Sequence, residues 1–205
     1  MNDICSAIII IDNIMSMMKE KIMDEYREIF LMQQTYATLF SLANKIQVKA
    51  DKCLGSMTSR QMMAMVAIAH LQEDQTTLNN IARKLGTTKQ SVKQIITIME
   101  RKGYVVTVPS QQDKRAVNVK VTEYGKKVSL EVSEKGIYFF ADVFKAFKPE
   151  EMETLWGLLK KMYRFDGEGQ DGFEEEGNMD IEVDQEEQTR VIEEVGKIRT
   201  GKVTD

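Results

Sequence analysis

A stretch of amide, hydroxyl and basic side chains at residues 88–101 has the most specific chemistry in this sequence. The polar residues recur at helical spacing with two lysines beside them: Lys89, Gln90, Lys93, Gln94, Thr97 and Arg101. Amides offer a donor and an acceptor together, which suits the edges of DNA bases, and lysines attract phosphates. Because no carboxylate shares this set, the spacing indicates a helix face suited to reading DNA.

Two short helices joined at Gly86 would hold that face in place. The first covers residues 78–85 and the second residues 88–102, and glycine tolerates the left-handed conformation that ends a helix. The candidate N-caps are Thr76 or Thr77 for the first helix and Thr88 for the second. The apolar residues at one-turn spacing are predicted to face the core: Val92, Ile95, Ile96 and Met99.

Two valine-rich segments after these helices predict a β-hairpin. Residues 104–108 and 116–121 favour strands, and the second alternates in part between apolar and polar side chains. The polar turn between them is too long for a tight hairpin, so it should project. Lys114 and Arg115 lie in that turn and could reach phosphates or a minor groove. The segments together predict a mainly α protein with a small β-hairpin wing, a winged helix-turn-helix.

Formal charge is divided unequally along the chain. The whole sequence carries −4, but residues 166–205 carry −10, which leaves +6 on residues 1–165. Residues 74–127 alone carry +7. The positive charge therefore lies on the predicted helix-turn-helix and wing, where it favours a polyanionic partner.

A long first helix precedes this region. Apolar residues recur every three or four positions from Met15 to Ile46, and Asp12 or Asn13 is the predicted cap. At about 1.5 Å per residue the helix would be roughly 50 Å long, which is more than a small core can cover. A second subunit is therefore the expected partner. Two shorter helices broken near Gln33 are the alternative.

Helix signals also flank the winged region. Residues 49–57 are polar and predict a connector, after which Thr58 and Gln61 match a capping box. Beyond the wing, Thr122 and Pro149 begin two apolar helices that we expect to join a dimer interface.

The chain after residue 165 is acidic and rich in glycine. Residues 166–180 contain few apolar anchors and predict a flexible linker. Residues 185–199 place four apolar side chains on one side of a predicted amphipathic helix, which Gly196 weakens.

Other function classes find little support. No run of about 18 apolar residues exists, so no membrane span is expected, and residues 8–11 lack the flanks of a secretory signal. His70 is the sole histidine, and neither a phosphate-binding glycine loop nor a catalytic cluster occurs. We therefore expect no catalysis, no metal and no cofactor, and a cytoplasmic location with free thiols.

Cys53 is the candidate for redox chemistry. Lys49 and Lys52 precede it and favour its thiolate, whereas Cys5 lies in an apolar stretch. A purely structural role is the competing interpretation.

The helix, turn and wing residues together resemble the MarR family of winged-helix transcription regulators. The motifs are Leu78-x-x-Ile81-Ala82-x-x-Leu85-Gly86-x-Thr88-Lys89-x-x-Val92, then Met99-Glu100-x-Lys102-Gly103-Tyr104-Val105, then Asp113-x-Arg115 and Val121-Thr122-x-x-Gly125. The resemblance covers about residues 12–165 and leaves the acidic tail outside.

The resemblance implies a homodimer with intertwined terminal helices, whose two winged helices bind a pseudo-palindromic site on double-stranded DNA. By that similarity, the major-groove residues would be Thr88, Lys89, Gln90, Lys93 and Gln94. Arg115 would enter the minor groove, with Asp113 orienting it. Many relatives bind small phenolic or lipophilic molecules, so a small-molecule effector is a further expectation.

These observations predict four segments and one function. Dimerisation helices occupy residues 1–57 and 126–165, the winged helix-turn-helix occupies residues 58–125, and the acidic tail occupies residues 166–205. The predicted function is sequence-specific DNA binding that regulates transcription, with repression by blocked promoter access. The alternative is a winged-helix module acting mainly through a protein partner, or a regulator inhibited by its own tail.

Overall fold

The computed structural model describes residues 2–110, 116–167, 173 and 184–201, with side chains from residue 13 onward. The elements in these parts of the chain are α1 (Asn2–Leu54), α2 (Ser59–Ala69), α3 (Leu78–Lys84), α4 (Lys89–Arg101), β1 (Val105–Pro109), β2 (Val117–Val121), α5 (Glu123–Val143), α6 (Pro149–Tyr163) and α7 (Gln185–Thr200). A 3₁₀ turn, Glu73–Gln75, lies between α2 and α3. The chain divides into two units, Met1–Val48 and Lys49–Asp205.

The first unit consists of α1 alone. The helix begins at Asn2, so the cap predicted at Asp12 or Asn13 is wrong, and so is the alternative break near Gln33. A polar residue inside a helix costs only a fraction of a kcal/mol relative to alanine, about 0.7 at most, so a long apolar pattern overrides it. Most apolar side chains described in this unit, from residue 13 to residue 48, are exposed, because the unit has no second element to pack on them.

The last turn and a half of α1 belongs to the second unit. Residues 49–54 continue the helix, and Ala50 and Leu54 are buried. The connector predicted at residues 49–57 is therefore too long, since the chain leaves the helix only at Gly55, with φ +71°. The capping box is confirmed: the Thr58 hydroxyl accepts from the amide of Gln61, whose side chain accepts from the Thr58 amide.

An apolar core joins the end of α1, the helices α2 to α5 and the wing. Its largest fully buried side chains come from the end of α1, from α2 to α5 and from the wing: Leu54, Met57, Met65, Ile81, Val92, Met99, Val105, Val119 and Val132. Burying a side chain of this size stabilises the fold by about 1.5–3 kcal/mol. The core fixes α4 against the wing and against α2.

The wing is a two-stranded antiparallel sheet with additional support at its base. β1 and β2 pair from Val105↔Val121 to Pro109↔Val117, which confirms the predicted hairpin. The segment before α3 adds a further rung, because the amide of Val119 donates to the carbonyl of Thr76 at 3.0 Å. The helix-turn-helix and the wing are thus joined through the backbone.

The helices after the wing begin where the sequence predicts. The Thr122 hydroxyl accepts from the Gly125 amide at 2.9 Å and caps α5, and Pro149 is the first residue of α6. The predicted amphipathic helix in the acidic tail is confirmed as α7, which packs on α5. The linker predicted at residues 166–180 lies for the most part outside the described residues.

Candidate nucleic-acid interface

The amide-rich face of α4 points to solvent. Val92, Ile96 and Met99 are buried on the inner side, whereas Ile95, also predicted to face the core, is half-buried. The outer side chains are all exposed: Thr88, Lys89, Gln90, Lys93, Gln94, Thr97 and Arg101. Arg101 folds back so that its Nε donates to the Thr97 carbonyl at 3.4 Å. The structure therefore gathers the sequence-predicted helix residues on one accessible surface.

The turn that leads into α4 is closed by backbone hydrogen bonds. Gly86 has φ +59°, and the amide of Thr87 donates to the carbonyl of Ala82 at 2.9 Å. Only glycine adopts this backbone conformation without strain. A Cβ added to Gly86 would also lie 3.1 Å from the hydroxyl oxygen of Tyr163, at the end of α6. The sequence motif predicts the glycine, but not the tyrosine packed against it.

The recognition helix, α4, which carries the amide-rich face, is joined to the wing by a carboxylate at its far end. Glu100 Oε1 accepts from the amide of Thr107 at 3.1 Å and from its hydroxyl at 2.7 Å. These two bonds hold the Glu100 side chain against β1. No sequence signal marks this role, since the pairing depends on the tertiary fold.

Several positive charges of the winged region serve internal contacts. Lys102 Nζ donates to the carbonyl of Ser56 at 3.1 Å, and Lys120 forms an ion pair with Glu73. That ion pair, a hydrogen bond from Lys120 first of all, holds the pKa of Glu73 below its usual value. Lys84 is buried beneath the ring of Phe173. Fewer positive charges are therefore available to a partner than the formal charge of +7 on residues 74–127 suggests.

Three sequence-predicted wing residues, Asp113, Lys114 and Arg115, lie outside the described residues. Cys53, the candidate for redox chemistry, is an exposed free cysteine near the end of α1. Within the described parts of the chain, no group of three or more histidine, cysteine, aspartate or glutamate residues could hold a metal ion. The helices described are also too short or too polar to cross a membrane.

Fold and site together define a winged helix-turn-helix with a cationic, amide-rich second helix. A model of the MarR family matches residues 56–116. The uncharacterized HTH-type transcriptional regulator YfiV of Bacillus subtilis (strain 168) is 28% identical over 87 residues, which make up 42% of this chain and 54% of that protein. The chain thus spans about half the length of this curated relative.

Solved structures extend the similarity to most of the fold. The S. aureus MepR–DNA complex is 26% identical, with a TM-score of 0.57, and the match covers 62% of this chain and 95% of MepR. Sco3205 from Streptomyces coelicolor, a MarR family regulator also solved with DNA, shares the fold at 17% identity and a TM-score of 0.58, over 64% of this chain and 88% of Sco3205. The winged region of this chain is therefore similar to the MarR family of winged-helix transcriptional regulators.

Replacing Thr88 with alanine should remove the N-cap of α4. The Thr88 hydroxyl accepts from the Ser91 amide at 3.1 Å, and losing such a cap typically costs about 1 kcal/mol of unfolding free energy. Thr77→Ala is the matched control, because Thr77 caps α3 in the same way through the Asn80 amide. Urea denaturation should give similar losses for both variants. An unchanged midpoint for Thr88→Ala would show that the cap does not stabilise α4.

Proposed function

We propose that this protein binds double-stranded DNA sequence-specifically as a homodimer and represses transcription by occupying promoter DNA. The observation that carries the proposal is the exposed outer face of α4, where lysines and amides occur together. In this assignment Lys89 and Lys93 attract phosphates, while Gln90 and Gln94 read base edges. Thr88 and Arg101 lie at the two ends of the same face. The proposal keeps the cytoplasmic location expected from the sequence.

Two relatives support DNA as the partner. MepR and Sco3205 were each solved in complex with DNA, and both share the fold of this chain. We assign Lys114 and Arg115 to phosphate or minor-groove contacts, with Asp113 orienting the arginine, on the basis of their place in the wing sequence.

The apolar surface of α1 supports a homodimer. The stripe predicted from the sequence is exposed along the first unit: Met15, Met18, Ile22, Ile29, Met32 and Tyr36. Continuous apolar surface of this kind marks an interaction site, and a two-fold dimer would cover the same stripe on both copies. The pseudo-palindromic site follows from that symmetry. Regulation by a small-molecule effector stays a prediction.

A salt titration of DNA binding tests the proposal. A dimer that contacts about 6–10 phosphates should lose roughly 10³- to 10⁵-fold in affinity between 50 and 200 mM salt. Binding sites are first selected from a random DNA library, and fluorescence anisotropy then compares the selected site with scrambled DNA. Equal affinity for both at every salt concentration would refute sequence-specific binding.

Substitutions on the outer face should separate base reading from phosphate attraction. We expect Gln90→Ala or Gln94→Ala to reduce the preference for the selected site about tenfold, because each good base contact contributes about 1–3 kcal/mol of discrimination. Arg115→Ala should instead weaken binding to all sequences. Gln72→Ala, at an exposed glutamine before the 3₁₀ turn, is the control. It should change neither the preference for the selected site nor the affinity for DNA in general. The assignment of these residues to the grooves would be refuted if the glutamine variants weakened binding to all sequences and Arg115→Ala reduced only the preference for the selected site.

A further inference from the structure

The acidic tail returns to the winged-helix domain instead of leaving it. α7 lies beyond residue 165, where the resemblance to the MarR family ends, and it packs on α5. Phe173, between α6 and α7, also contacts the domain, since its ring is 5.3 Å from the ring of His70 and 5.7 Å from Lys84 Nζ. His70 is the C-cap of α2 and Lys84 is the last residue of α3, so this second contact falls at the helix-turn-helix.

Two arginines attach α7 to α5 and to the turn between α5 and α6. Arg190 pairs with Glu134 at 2.8 Å, and the Tyr138 hydroxyl donates to the same carboxylate at 2.9 Å. These hydrogen bonds, from Tyr138 first and then from Arg190, hold the pKa of Glu134 below its usual value. Arg199 donates to the carbonyl of Phe147, in the turn between α5 and α6, at 2.6 Å. α7 therefore runs parallel to α5 and ends at the α5–α6 turn.

Apolar contacts between α7 and α5 are modest. Val191, Val195 and Ile198 follow one face of α7 and are half-buried, and no residue of α7 is fully buried. Specific placement of the helix thus depends on its two arginines. Arg199 also reaches the sulfur of Met152, in the first turn of α6, at 3.5 Å.

A continuous series of contacts runs from α7 to the turn before the recognition helix. Arg199 contacts the start of α6 through Phe147 and Met152, and α6 is a continuous helix of 15 residues. At its other end, Tyr163 lies against Gly86. Phe173 covers Lys84, which is two residues before Gly86. The contact of Arg199, through α6 and Tyr163, and the contact of Phe173 with Lys84 therefore both lead to the turn at Gly86.

We propose that the tail is a positioning element for DNA reading, in which Arg190, Arg199 and Phe173 hold the helix-turn-helix in its binding orientation. The inference rests on the proposed function. Its physical reason is that base reading requires the recognition helix in one orientation, whereas phosphate attraction tolerates several. If the turn samples other orientations, affinity for the specific site falls in proportion to the competent fraction. The proposal predicts that disrupting the tail contacts lowers DNA affinity, whereas inhibition by the acidic tail predicts that the same disruption raises DNA affinity.

Arg199→Ala and Phe173→Ala test this in the full-length protein. Each should reduce affinity for the selected DNA site about tenfold, within the range by which residues remote from a ligand modulate binding, and should change affinity for scrambled DNA less than about twofold. Arg199→Lys keeps a donor for the Phe147 carbonyl and should restore most of the loss. The ratio of specific to non-specific affinity is the readout, because partial unfolding would lower both equally.

Two controls match these variants closely. Lys197→Ala removes a charge from the same helix, but the ion pair of Lys197 with Glu194 stays within α7. Phe165→Ala removes a phenylalanine that directly precedes the tail and is 87% exposed. Both should bind the selected site as the wild type does. Trp156, the sole tryptophan, lies on α6, so its emission should change in Arg199→Ala and not in Lys197→Ala.

The outcomes separate the inference from the function on which it rests. A wild type without preference for any site would refute the proposed function and the inference together. A wild type with a preference that Arg199→Ala and Phe173→Ala leave unchanged would refute the inference alone. Higher affinity in these variants would also refute it and would support inhibition by the tail. Reduced affinity with unchanged Trp156 emission in Arg199→Ala would exclude the route through α6.

Discussion

Replacing Gly125 with alanine should destabilise the winged-helix domain by about 3 kcal/mol or more, at the upper end of overpacking costs. The first turn of α5 lies directly on the start of the wing, where the Thr122 amide donates to the Tyr104 carbonyl oxygen at 3.0 Å. A Cβ on Gly125 would come within 2.8 Å of the Tyr104 carbonyl carbon, and closer still to its oxygen. Both obstructing atoms belong to the backbone, so no side-chain rotation can relieve the overlap.

The control for this substitution is Gly157→Ala in α6, where nothing lies within 4 Å of the added Cβ. Alanine is the better helix former by about 0.8–1.0 kcal/mol, so this variant should be slightly more stable than the wild type. Urea denaturation followed by circular dichroism measures both changes. A Gly125→Ala variant with wild-type stability would show that the close approach of α5 to the wing is not rigid.

Local chemistry explains why the helix starts and turns are predictable from the sequence. Thr58, Thr88 and Thr122 each accept a hydrogen bond from an amide three residues later. Such bonds involve only neighbours in the chain, so residue type and spacing predict them. The turn at Gly86 follows the same logic, because its positive φ favours glycine. The helix-turn-helix is built almost entirely from signals of this kind.

The end of α1 shows where a local signal misleads. Residues 49–57 contain several charged side chains, which indicate a connector when they are counted together. Ala50 and Leu54 nevertheless continue the apolar stripe from Ile46 at steps of four residues, and both are buried. Position on the helix, rather than average polarity, decides the structure here.

Contacts between distant parts of the chain could not be predicted. Lys102 donates to the Ser56 carbonyl, 46 residues away, and Glu100 of α4 accepts from Thr107 of β1. In the sequence each resembles a surface charge available to a partner. The attachment of Arg190 and Arg199 to α5 and its turn depends on the fold in the same way. Charge counts therefore locate the candidate interface, but they do not identify which charges it uses.

Replacing Ile22 and Ile29 together with lysine should dissociate the proposed homodimer. Both side chains are about half exposed on the apolar stripe of α1. In a symmetric dimer the double substitution removes four apolar side chains from the interface and adds four like charges. Burial of each such side chain stabilises by about 1.5–3 kcal/mol, so even partial burial predicts a loss above 1000-fold in dimer affinity. Sedimentation equilibrium measures the change directly.

Gln33→Lys in the same helix provides the control, because it adds a positive charge at a polar, exposed position. It should leave the dimer intact. Circular dichroism should show that all variants retain their helices, since lysine and isoleucine differ little in helix propensity. Operator affinity should fall with dimer affinity, because two linked recognition helices gain an effective concentration that separate monomers lack. A wild type that sediments as a monomer at every concentration would refute this interface, and full operator affinity in the dissociated variant would show that one winged helix suffices for DNA binding.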